Sequence, residues 1–229
     1  MSDTSNNSLH KEFELERMIL FSDAVFAIAI TLLIIEIRFP ELPENYKVSL
    51  DLFKMFKHTL VGFAAFLLSF FFIGMSWARH LKMFRYLRAY DSGVIFLNLL
   101  SLMFIVIFPF FASGITHARP SFMFPVLMYL GNIMLVALSN FMLAHYIFKH
   151  KPTLSVAGHE PEKKYIYMQA KVFALALLLA FLVVLATTIL TNFNNEYMSA
   201  SFYSVPVLVF ILRKWVRKYK PKKTAGVGE

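Results

Sequence analysis

Six apolar runs, separated by short polar or basic segments, set the pattern of the chain: residues 18–37, 60–77, 94–111, 122–147, 172–191 and 198–216. Crossing about 30 Å of hydrocarbon as α-helix takes about 20 residues, so the pattern predicts an all-α membrane protein of six transmembrane helices. A polar N-terminus (1–17) precedes the membrane domain (18–216), and a basic tail (217–229) follows it. The fifth run, VFALALLLAFLVVLATTILT, is uniformly apolar. Pro206 interrupts the sixth, whose last turns carry Arg213, Lys214 and Arg217. Those long side chains are expected to snorkel to the interface. The first run is too long for a secretory signal and has no small-residue cleavage site after it, so it is expected to stay in the mature chain.

Composition sharpens this picture. The chain is 58% hydrophobic and only 16% charged, well short of the roughly one-quarter charged content of soluble domains. Its net charge of +9 does not point to nucleic acid, because Lys and Arg are confined to the segments between apolar runs. The absence of cysteine excludes disulfides and thiolate chemistry. Basic residues crowd one set of segments: Lys11 and Arg17; Arg79, Lys82, Arg85 and Arg88; Lys149 to Lys171; and Arg213 to Lys223. The other set holds only Arg38, Lys47, Lys54, Lys57 and Arg119. By the positive-inside bias, both termini and the 149–171 loop are expected on the cytoplasmic side. The tail RKWVRKYKPKK reads as a topology signal with Trp215 and Tyr219 as interfacial anchors, or as a contact for anionic headgroups.

The first run carries the candidate chemistry. At about 100° per residue, Arg17, Phe21, Ala24, Ile28, Leu32 and Ile35 fall in one stripe with Thr31 on its flank. Asp23 points roughly 140° away from that stripe. An ionisable group in a span almost always meets a partner inside the bundle, which makes Asp23 a packing anchor with Trp77, His80 and Asn98 as candidate partners. Those three fit an inter-helix hydrogen-bond network. The stripe itself fits packing against helices or lipid. Thr31 fits either a bond back to the Ala27 carbonyl or a functional role.

Arg17, Phe21, Ser22 and Asp23 spell R-x-x-x-F-S-D, followed by AVFAIAITLLIIEI. This motif resembles the signature of the transmembrane protein 175 family, the potassium channels of lysosomes and prokaryotes. GMSWARH and IFLNLL resemble the family more loosely. The resemblance implies a first helix that lines the pore, with no P-loop filter. Animal members carry two six-helix repeats and dimerise; one copy of the motif here implies a prokaryotic homotetramer in the cell membrane. Carried over by position, Ile28 forms the hydrophobic constriction, Leu32 and Ile35 the next layers, and Thr31 contributes to potassium preference. Arg17, Phe21, Ser22 and Asp23 would join Trp77, His80 and Asn98 in the network holding the first helix. Glu36, near the outer end, would concentrate cations at the pore mouth or pair with Arg38.

On this reading the protein is a potassium channel of modest selectivity, with potassium as its permeant ion and no cofactor. One alternative is a secondary transporter using Asp23, Glu36 and His80 as a cation or proton relay. Another is a non-conducting scaffold or lipid-binding protein. An enzyme is not expected, since no carboxylate pair, activated nucleophile or metal spacing is present.

Overall fold

The computed structural model describes residues 2–35, 37, 48–117, 124–192 and 194–221. Eight α-helices make up the described fold: α1 (Ser2–Ile35), α2 (Val48–Phe84), α3 (Ser92–Val106), α4 (Phe108–His117), α5 (Phe124–His145), α6 (Glu160–Leu190), α7 (Asn195–Ser201) and α8 (Ser204–Val216). They supply six stretches long and apolar enough to cross a membrane, in line with the six runs. Among the described residues, extended pairing is limited to an isolated antiparallel bridge between Leu87 and Ser155.

Boundaries differ from the hydropathy reading where apolarity and helicity part company. The second span continues to Phe84, so Trp77 and His80 lie within the helix and do not end it. Most of the expected 149–171 loop is helix as well, because α6 begins at Glu160 and carries Lys163, Lys164 and Lys171. Pro161 in the first turn, where no amide is needed, and Glu160 and Glu162 beside the unpaired N-terminal amides favour a helix start there.

Two spans are bent, each for a backbone reason. Pro109 offers no amide hydrogen to the Ile105 carbonyl, and the third span divides at Ile107 into α3 and α4. Near the bend, Asn132 Nδ2 of α5 donates to the Phe104 carbonyl at 3.2 Å. In the sixth span the break falls at Phe202 and Tyr203, ahead of Pro206. The Pro206 ring cannot bond the Phe202 carbonyl; the Val205 amide takes it instead at 3.1 Å. Pro206 thereby sits in the first turn of α8, where a proline is best tolerated.

The main core gathers Phe26, Ala29 and Leu33 of α1 with Ile73, Ile105, Phe108 and Tyr129 from α2 to α5. Phe108 stacks on Phe72 at 5.3 Å and meets Tyr129 edge-on at 5.1 Å. A second cluster around Phe84, Val94, Leu143 and Ile147 closes the end of the bundle where the basic residues collect.

A polar latch ties that end together. Asp91 caps α3, its Oδ1 accepting from the Val94 amide at 3.0 Å. Its Oδ2 accepts from the Tyr146 hydroxyl at 2.9 Å and from Lys151 Nζ at 2.5 Å. Tyr146 comes this close because residue 93 is glycine: a Cβ there would stand 2.3 Å from the Tyr146 hydroxyl oxygen. The Lys151 ammonium foremost, with the Val94 amide and Tyr146 hydroxyl behind it, holds the Asp91 carboxyl at about 2 against its ordinary 3.8. A depressed carboxyl stabilises the fold above its ordinary pKa, and that contribution fades as pH falls from 3.8 toward 2.

Asp91→Ala is therefore expected to lower stability by about 0.5–2 kcal/mol, the usual range for a lost N-cap. Thermal unfolding of detergent-solubilised protein reads the difference. The gap from wild type should narrow as pH drops from 3.8 to about 2; a gap constant through that window would remove the ion pair from the latch.

Candidate functional site

Helix α1 has two faces of opposite character. Ser22, Phe26, Ala29 and Leu33, spaced at helical intervals, are buried against the bundle. Arg17, Phe21, Ala24, Ile28, Thr31, Leu32 and Ile35 are exposed on the single chain. Three large aliphatics on that face remain far from covered: Ile28 is 58% exposed, Leu32 40% and Ile35 65%. Burying a side chain of this size is worth about 1.5–3 kcal/mol, so the face calls for lipid or another protein surface.

The opposite face is fastened by a directional chain of hydrogen bonds. Ser22 Oγ donates to the Met18 carbonyl at 2.9 Å, and Asn98 Nδ2 donates to Ser22 Oγ at 2.9 Å. Asn98 Oδ1 is then the acceptor facing His80 Nε2 at 2.8 Å. That contact requires the proton on Nε2, which leaves His80 Nδ1 as a bare lone pair; it is buried with no partner. Phe84 stacks on the ring at 4.0 Å and Phe26 lies at 5.5 Å. A separate bond runs from Trp77 Nε1 to Asp23 Oδ1 at 2.8 Å. Ser22 and Asp23, adjacent in sequence, thus bind α1 to α3 and α2 at once.

Not all of the motif takes part. Arg17 and Phe21 are exposed and lie outside this hydrogen-bonded seam, because they share the stripe of Ile28 and not the face of Ser22. Asp23 and His80 bond different partners, so no direct relay bond joins them. The Thr31 hydroxyl donates to the Ile28 carbonyl at 2.9 Å, three residues back and not to Ala27. Its proton is committed, and its oxygen lone pairs remain as acceptors on the exposed face. Glu36 and Arg38 lie outside the described residues.

The sequence reading did not find two pairings. Ser69 and Tyr129 share a hydrogen bond at 2.9 Å in the core, and the Tyr90 hydroxyl donates to Glu14 at 2.7 Å. Polar residues in apolar runs signalled that Ser69 and Tyr129 need partners. Their separation of 60 residues leaves the pairing itself to tertiary structure.

These features define the class: a multi-pass helical membrane protein whose first helix is pinned by a polar seam on one side and open on the other. The family model described as "Endosomal/lysosomal potassium channel TMEM175" matches residues 17–109, a stretch that holds the motif and every member of the seam. A potassium channel of Streptomyces collinus is 39% identical over 93 residues, which cover 41% of this chain and 43% of that protein. The mouse endosomal/lysosomal proton channel TMEM175 is 28% identical over 228 residues, covering 91% of this chain and 43% of its own. The chain therefore spans less than half the length of these two relatives. In the crystal structure of a TMEM175 homologue from Chamaesiphon minutus the same fold recurs, with a TM-score of 0.61 at 22% identity over 91% of this chain and 99% of that one. Over residues 17–109 the chain is similar to the TMEM175 family, and the relatives it matches are named as ion channels.

Asn98→Ala removes both arms of the seam and strands the buried His80 Nε2–H. A buried donor left unpaired costs about 1–3 kcal/mol, so this variant should melt earlier than Thr31→Ala, which breaks only a bond at the exposed face. Equal melting points in a thermal scan would mean that the seam does not hold α1.

Proposed function

We propose that the chain is one subunit of a potassium-selective cation channel, a homotetramer in the cell membrane with both termini cytoplasmic. The observation that carries this reading is the exposed aliphatic stripe of α1, set on a helix whose other face is fastened by polar bonds. Relatives named as potassium channels support the ion, and the excess of Lys and Arg at one end of the bundle supports the orientation.

Four copies of α1 about a common axis would bring four Ile28 side chains into a ring, with Leu32 and Ile35 in the next layers. An aliphatic ring offers an ion no replacement for its hydration shell and so closes by dewetting. Conduction then requires the ring to widen. Continuous helix keeps its carbonyls in its own ladder, so α1 provides no carbonyl filter. The Thr31 oxygen, its proton given to Ile28, is the polar atom left to favour one cation over another. Four such oxygens discriminate less than stacked carbonyl rings, which makes modest potassium preference the expected result.

The test is potassium flux in reconstituted liposomes. Ile28→Asn should wet the ring and raise leak several-fold over wild type; unchanged unitary currents in bilayers would overturn the gate. Thr31→Ala should move the potassium-to-sodium permeability ratio toward unity. A reversal potential identical to wild type would take Thr31 out of selectivity. Slow saturating flux tied to a second gradient, without discrete conductance steps, would replace the channel with a transporter.

A further inference from the structure

We propose that the cleft between α2, α5 and α6 at the basic end of the bundle binds the phosphate of an anionic phospholipid headgroup, with Arg79 as its principal ligand. The inference does not rest on conduction. Arg79 and Lys82 of α2, Asn140 of α5, and Gln169 and Phe173 of α6 line this cleft. The Arg79 guanidinium lies 3.9 Å from the centroid of the Phe173 ring, a contact that fixes the group without neutralising it.

Charge compensation is what the cleft lacks. Ionisable groups within membrane spans pair with one another or with backbone carbonyls, yet no Asp or Glu is among the lining residues of this cleft. The charge that acts on Arg79 is that of another cation, Arg213 of α8, which repels it. Asn140 adds a second unmet demand. Its Nδ2 donates to the Val136 carbonyl at 2.9 Å, while its Oδ1 is buried with no partner. The site therefore presents a held guanidinium that wants an anion beside an amide oxygen that wants a hydroxyl. A phosphate bearing a glycerol headgroup supplies both.

Depth and lining favour a lipid over a dissolved ion. Arg79 stands five residues before the end of α2, about 7.5 Å along the axis, which puts it at the level where headgroups meet acyl chains. The rest of the lining, including Met83 and Ile166, is apolar and suits the start of an acyl chain. The enclosed space is about 30 Å³, room for a phosphate oxygen or one water. The remainder of the headgroup stays at the mouth, within reach of Lys82. Basic pockets between transmembrane helices take anionic headgroups by this chemistry.

The experiment uses the full chain, delipidated in detergent, with phosphatidylglycerol or phosphatidylcholine added back. Native mass spectrometry and the thermal midpoint are both recorded. Phosphatidylglycerol should raise the midpoint and survive as a bound adduct, and phosphatidylcholine should do neither. Arg79→Gln should weaken phosphatidylglycerol binding by about tenfold or more, the scale of one charge-assisted hydrogen bond. Lys149→Gln, at the same end but outside the cleft, should leave it unchanged. If Arg79→Gln does not fold, Arg79→Lys carries the test: it keeps the charge but loses the planar fork, and binding should fall several-fold. Equal response to the two lipids, or binding indifferent to either Arg79 variant, overturns the site. Inorganic phosphate matching the effect of phosphatidylglycerol overturns the lipid assignment in favour of a free anion.

Discussion

A helix that offers one face to its own subunit and leaves the other open needs a rotational setting that does not slip. Apolar contacts alone define such a setting weakly inside a bilayer, where lipid tails are as apolar as leucine and one greasy surface can replace another. Hydrogen bonds among buried polar atoms behave differently, because a wrong rotation leaves donors and acceptors unpaired in a low-dielectric medium. Ser22, Asn98 and His80 form such a chain across α1, α3 and α2, with Trp77 and Asp23 beside it. Turning α1 by one residue, about 100°, would break all of these bonds together. The direction in which Ile28, Leu32 and Ile35 point is therefore decided by residues that never touch them.

How far this was readable from the chain depends on the kind of interaction. The six spans were legible because hydropathy is summed over about 20 positions and tolerates local exceptions. Pro109 marks a break in the third run, but the division into two helices at Ile107 was not legible. Whether a proline kinks, breaks or opens a helix depends on what its neighbours offer the carbonyls around it, and near this bend Asn132 of another helix bonds the Phe104 carbonyl. The reach of α2 to Phe84 was missed because a helix does not stop where the hydrocarbon does. The latch at Asp91 combines a readable part and an unreadable one. Asp-Ser-Gly before an apolar run is an N-cap signature, whereas the demand for glycine at 93 comes from Tyr146, more than 50 residues away.

The site divides along the same line. Helical periodicity sufficed to separate Asp23 from the stripe, because angle along one helix is a local quantity. It could not tell what covers the stripe. Grouping Arg17 and Phe21 with the seam followed the motif as a string of letters, and the helix sorts that string onto two faces. Ser22 and Asp23 turn inward, while Arg17 and Phe21 stay with Ile28 on the open side. Thr31 shows the limit in miniature: a back-bond was foreseeable, but the choice of Ile28 over Ala27 is a matter of rotamer, and it decides where the lone pairs face.

The same end of the bundle carries two cations in opposite circumstances, and the contrast bears on what each is for. Lys151 meets Asp91 in a cluster that also includes an amide and a tyrosine hydroxyl. Each charge there has an opposite neighbour, and the side chains remain partly exposed, so the latch is complete without help. Arg79 is wedged over an aromatic ring beside Arg213, with an unpaired amide oxygen in the same cleft. A positive-inside signal requires only that a charge be present on the correct side, and an exposed lysine serves that purpose at less cost in desolvation. Packing an arginine into an interhelical cleft adds a penalty that topology does not require. The penalty is offset when a phosphate arrives, because bidentate, charge-assisted bonds are strongest where water is scarce. By this argument Arg79 stands apart from the other basic residues at its end of the bundle: a topology signal needs only their charge, whereas the cleft around Arg79 suits a phosphate.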